Sequence, residues 1–208
     1  MKEYPVLLKE YLDSCTLREN AIIYKKLNLS KVSWIYPSKL LSLVSFLKNH
    51  KNMEIIYPMT ESVQRYFKTA LSGDMAYHKK IYLPMIQLPE KRNEANPIIE
   101  QLQHLCHNGK NLGGLMAFGY FLGEMIDNVY DHSQFAHAYV FAQMYPKMKF
   151  SEIALIDDGI SIQGSYRKAG YVFNDAEALL KAIEGVSAKD KERGFGLRTN
   201  VRLFTEGL

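Results

Sequence analysis

The sequence predicts an α/β two-layer sandwich (α+β) built in two parts, and three features of the chain predict it. Helical and extended patterns alternate between residues 21 and 71. A long helical pattern with one apolar and one polar face runs from about Leu112 to His132. Two apolar extended runs joined by a Pro-Lys turn follow it.

In chain order, residues 1–13 read as a short amphipathic helix, with Val6, Leu7 and Leu12 set among charges, and Ala21–Leu29 reads as a strand rich in Ile, Tyr and Leu. Lys39–Asn49 carries Leu40, Leu43, Val44 and Leu47 at helical spacing. Met53–Tyr57 is a short strand stopped by Pro58, and Glu61–Leu71 a second helix opened by Thr60. Ile81–Leu88 is extended, but Pro84 and Pro89 cannot donate to a ladder and keep it out of the middle of a sheet. The polar run Glu90–Asn96 before Pro97 marks a linker or helix entry, so the expected domains are 1–90 and 97–208.

Beyond that boundary Ile98–His107 is helical, and the long helix to His132 follows. Strands at Ala136–Tyr145 and Phe150–Asp157 turn at Pro146-Lys147. Asp175–Glu184 is a helix with Asn174 as its N-cap. A glycine-containing loop, Gly185–Gly196, leads to a last helix near Leu197. Trp34 is expected as a buried anchor.

Composition narrows the classes. The chain has 208 residues, 47% of them apolar and 23% charged, which allows a packed core and excludes a disordered chain. A net charge of +4 is spread over pairs such as Lys25-Lys26 and Lys79-Lys80 rather than gathered in a stripe, so nucleic acid is not expected as a partner. Two cysteines without CxxC spacing point to a reducing, cytoplasmic setting. The charged N-terminus does not read as a signal peptide, and no run approaches the ~18 apolar residues of a membrane span. His104, Cys106 and His107 fall short of a zinc ligand set.

Three segments carry chemistry. On the helix LMAFGYFLGEMIDNVYDHS, Leu115, Phe118, Leu122, Met125, Ile126 and Val129 share one face. Glu124, Asn128 and Asp131 gather within about 60° on the other. In SEIALIDDGISI, an apolar strand delivers Asp157, whose carboxylate can accept from an exocyclic amine, with Gly159 allowing close backbone approach. In KERGFGLRTN, Gly194 and Gly196 precede a helix start whose N–H groups can face an anion, with Lys189, Lys191 and Arg193 adding charge. Each segment alone is also what a solvated helix face, a common turn or a flexible loop looks like. Their order along one stretch of chain is the informative observation.

In that order the segments resemble the boxes of the GHKL ATPase/kinase superfamily shared by gyrase, Hsp90, MutL and histidine kinases. Glu124-Met-Ile-Asp-Asn128, continuing through Asp131-His132-Ser133, matches the N-box. Asp157-Asp158-Gly159-Ile160-Ser161 matches the first glycine box and Gly194-Phe195-Gly196-Leu197 the second, over roughly Leu112 to Leu208. The resemblance implies a Bergerat-type ATP-binding domain with a mixed sheet, taking ATP and Mg²⁺ as cofactors. Asn128 would ligate the metal, Asp157 would accept from the adenine amine, Gly159 would lie beneath the base, and Gly194 and Gly196 would shape the phosphate lid. Glu124 would act as general base, one helical turn before Asn128. Ser161 departs from the second glycine of its box, and family members continue into further strands beyond the second glycine box.

The N-terminal part resembles, more distantly, a STAS domain, with Tyr36-Pro37-Ser38-Lys39 where that family carries Asp-Ser-Ser-Gly. The usual phosphoacceptor position falls on Pro37, which has no hydroxyl. Two functions follow from the resemblances: hydrolysis of ATP or transfer of its γ-phosphate to a protein partner, or a non-catalytic module whose nucleotide state governs docking to a partner. No histidine stands in a dimerisation-helix H-box, which argues against autophosphorylation, while many GHKL proteins form homodimers.

Overall fold

A computed structural model describes residues 4–72, 81–107, 110 and 114–186, and shows a mixed α/β protein. The chain divides into two compact units. One gathers Met1–Ile86 with Tyr139–Ile156, the other Gln87–Ala138 with Asp157–Leu208. The backbone therefore crosses between units at Ile86–Gln87, beside the expected 90–97 boundary, and twice more at the ends of a hairpin.

In the first unit, α1 (Tyr4–Tyr24) is followed by Lys25 in the left-handed region at φ 51° and then by β1 (Lys26–Asn28). α2 (Pro37–Asn49) crosses over to β2 (Glu54–Ile56), which pairs parallel with β1 in the register Leu27 to Ile55. Lys26 and Glu54, opposite each other, form an ion pair of 2.9 Å. α3 (Glu61–Ser72) follows. Two expectations are corrected here. The Ala21–Leu29 strand is shorter than expected, reduced to β1 at Lys26–Asn28, while Ala21–Tyr24 is helix: Ser14 and Ala21 are buried two turns apart, and that packed face overrides the β-propensity of Ile22, Ile23 and Tyr24, all exposed. Trp34 is not buried but 48% exposed, one face stacked on Tyr66 at 9° between planes.

The second sheet is three-stranded, ordered β3 (Tyr82–Gln87), β4 (Ala138–Tyr145), β5 (Phe150–Asp157). Met144 N–H to Ile81 O and Leu88 N–H to Ala138 O run β3 antiparallel to β4. β3 takes an edge, as Pro84 within it requires. Ala138–Ala142 is buried at five successive positions, the pattern of a central strand. Tyr139, Phe141 and Ala154 of this hairpin enter one core with Leu27, Leu40, Leu43, Val44 and Phe67. Each large apolar side chain there contributes roughly 1.5–3 kcal/mol by leaving water.

α2 shows how the hairpin also acts on a helix end. Pro37 occupies the first turn, where its missing N–H costs nothing, but the N-cap Tyr36 offers no side-chain acceptor. Glu152 on β5 supplies one, taking Ser38 N–H at 3.0 Å and Ser38 Oγ–H at 2.7 Å. Nearby, Tyr66 donates to Gln143 Oε1 at 3.0 Å. Burial first, then the neighbouring Tyr145 and the charge of Glu152, pushes the Tyr66 phenol far above its ordinary range.

In the second unit, a 3-10 turn (Arg92–Ala95) enters α4 (Asn96–Leu105), which packs on α5 (Gly114–Asn128). A π-turn (Val129–Ser133) ends the long helix. α6 (Ile162–Lys168) packs against α7 (Asp175–Glu184). α7 begins at its expected N-cap, Asn174, which also forms a reciprocal capping box with Glu177, and Gly185 closes the helix at φ 87°. α6 was not expected, although Ser161 before it and Gly170 after it are start and stop residues. No helix of the described residues is long and apolar enough to cross a membrane.

Candidate functional site

The expected apolar face of α5 holds at Phe118, Leu122, Ile126 and Val129, which are buried. Leu115, in the first turn, departs from it at 49% exposed. Glu124 and Asn128 sit part-buried one turn apart, while Asp131, inside the π-turn, is exposed. Tyr120, one turn before Glu124, donates its hydroxyl to that carboxylate, and burial and the Glu124 charge raise the phenol's pKa. The helix end is tied down from the preceding segment. Arg92 pairs with Asp127 and donates to Asn96 Oδ1 at 2.9 Å, and Tyr130 donates to Pro89 O at 2.6 Å.

The Asp157–Ser161 turn is fastened to the last residue of that π-turn. Ile160 N–H donates to Ser133 O at 2.6 Å. A Cβ at Gly159 would lie 2.0 Å from the same oxygen, so only glycine fits this approach. Asp157 is part-buried; its Oδ1 accepts Gly159 N–H at 3.0 Å, and its second oxygen has no hydrogen bond among the described residues. Ser161 has extended backbone at φ −67° and accepts Gly164 N–H at 3.1 Å as the N-cap of α6. A glycine there would forfeit a cap. The departure from the glycine box is thus a helix start.

Motif and spacing do not single out Asp158. Its Oδ1 accepts both Ala136 N–H and His137 N–H at 2.8 Å, its Oδ2 lies 2.8 Å from His137 Nδ1, and its own N–H donates to His137 O at 3.0 Å. Partial burial opposes ionisation, but these hydrogen bonds outweigh it and hold the carboxyl below its usual range. An ionised carboxylate only accepts, so Nδ1 of His137 carries the proton. No local pattern announces this cluster, because its two halves are 21 residues apart in sequence. The Ser133 hydroxyl, buried beside Gly159, makes no hydrogen bond among the described residues.

Two of the three expected segments are therefore adjacent: the end of the Asn128 helix and the Asp157 turn meet at Ser133. Lys189, Lys191, Arg193, Gly194, Gly196 and Leu197 lie outside the described residues, as does the expected last helix. Among the described residues no three His, Cys, Asp or Glu side chains gather into a metal site. Glu124, Asn128 and Asp131 are hard oxygen donors of the type Mg²⁺ takes together with substrate phosphates. The donor chemistry of these three side chains is compatible with a hard divalent cation. No family model, curated protein or solved structure matches the chain.

Proposed function

We propose that the second unit binds Mg-ATP in the manner of a GHKL domain and passes the γ-phosphate to water or to a protein partner. The observation that carries this reading is the junction at Ser133. It fastens the end of the helix that carries Glu124 and Asn128 to a strand-end Asp-x-Gly turn, with one oxygen of Asp157 left to accept a hydrogen bond. Asp157 receives the adenine amine there, and Asn128 offers its carbonyl oxygen to the metal side of the nucleotide. Mg²⁺, when bound, neutralises phosphate charge. Glu124 orients the attacking hydroxyl and takes its proton, a role that needs the carboxylate one turn from Asn128. The parallel β1–α2–β2 unit supports a STAS-like reading of the first unit, with Pro37 at the helix start leaving no phosphoacceptor there.

Calorimetric titration of the full chain with Mg-ATP and Mg-GTP tests the reading. Asn128→Ala is expected to lose about tenfold or more of the Mg-dependent affinity, and Asp157→Asn to lose the preference for ATP over GTP. Glu124→Ala keeps binding and loses turnover. Unchanged Mg-ATP affinity in both Asn128→Ala and Asp157→Asn overturns the assignment.

A further inference from the structure

We propose that Asp158 is a positioning residue that sets base selectivity by holding Asp157 where an adenine amine can reach it; this rests on the nucleotide reading above. Asp157 is the last residue of β5 and is followed at once by the Asp158 clasp. Its placement therefore depends on how firmly the end of β5 is tied to the start of β4. The clasp extends that tie beyond the β4–β5 ladder. Two backbone N–H groups converge on one oxygen of Asp158, an imidazole N–H on the other, and the Asp158 N–H returns a bond to His137 O. All four bonds join the same two short segments, so the turn cannot swing away from Ser133 without breaking several at once. The Asp158 carboxylate is 21% exposed and the His137 ring 53%, so the clasp sits at the rim rather than in a core.

A rim clasp has a different consequence from a packing contact. Released, it lets Asp157 drift, and a carboxylate that selects an amine over a carbonyl oxygen depends on placement within a fraction of an ångström. Adenine presents a donor to Asp157, whereas guanine presents an oxygen that the carboxylate repels. Drift therefore weakens ATP more than GTP.

The experiment uses the full chain as parent, Asp158→Ala, Asp158→Asn and His137→Ala. It measures Mg-ATP and Mg-GTP affinity by calorimetry and Gly159 and Ile160 amide exchange without nucleotide. Asp158→Ala is expected to lose about tenfold in ATP affinity with GTP nearly unchanged, and to speed exchange at both amides. Asp158→Asn, which keeps an acceptor for the two backbone N–H groups, should recover much of the loss. His137→Ala, which leaves those two bonds in place, gives a graded effect if Asp158→Ala does not fold. An unchanged ATP-to-GTP ratio in a folded Asp158→Ala protein overturns the inference while leaving the nucleotide reading intact. A parent that binds neither nucleotide removes both, and the exchange rates then report only whether the clasp holds the turn.

Discussion

At the scale of single residues, the glycines of the second unit divide by what surrounds them. Gly159 has the Ser133 carbonyl where its Cβ would be, at 2.0 Å from oxygen and 2.6 Å from carbon. That carbonyl is held by Ile160, so it cannot retreat without losing a hydrogen bond. Gly123, in the interior of α5, has nothing within 4 Å. The same substitution therefore has opposite signs at the two sites. Gly159→Ala should cost roughly 1–3 kcal/mol through overpacking, whereas Gly123→Ala should stabilise by roughly 0.5–1 kcal/mol through helix propensity. Urea unfolding of the two variants decides it, and a neutral Gly159→Ala would mean that the turn is not seated on Ser133. Sequence alone singles out Gly159 for its place in a motif. The backbone that makes it necessary is about 26 residues earlier and has no local signature.

At the scale of elements, legibility followed the range of the forces that set each boundary. α7 was readable to the residue because its cap and its stop are both local: Asn174 and Glu177 close the start and Gly185 the end. α2 was readable as an apolar stripe, but its cap was not, since Glu152 is 114 residues from Ser38. The first half of the strand expected at Ala21–Leu29 is helix for a related reason, and only Lys26–Asn28 is strand. Ile22, Ile23 and Tyr24 favour extended chain in isolation, yet burial of Ser14 and Ala21 keeps α1 wound through Tyr24. Both helix starts matter to stability in the same way, whichever part of the chain supplies the acceptor. Asn174→Ala and Glu152→Ala should each lose about 1 kcal/mol in urea unfolding, with the Ser38 amide exchanging faster only in Glu152→Ala. Equal Ser38 exchange in parent and Glu152→Ala would show that the distant carboxylate does not cap α2.

At the scale of the whole molecule, the two units are threaded rather than strung. A linear reading of composition puts a boundary at the polar, proline-flanked run 90–96, a few residues past the crossing at Ile86–Gln87. It cannot find the hairpin's return, because strands β4 and β5 are apolar and match either unit equally well. The first unit needs that hairpin. Tyr139, Phe141 and Ala154 complete its core, and Glu152 caps one of its helices. A fragment ending near residue 90 lacks Tyr139, Phe141 and Ala154 from the core that holds Leu43, Val44 and Phe67, and leaves α2 without its acceptor. With several large apolar neighbours missing, at a few kcal/mol each, the loss rivals the roughly 5–15 kcal/mol that holds a domain folded. Residues 1–90 expressed alone should therefore lack cooperative unfolding and a dispersed amide spectrum. A chimera of 1–86 joined by a short polar linker to 138–157 should recover both. A cooperative, well-dispersed 1–90 fragment would show instead that the hairpin decorates a core already complete without it.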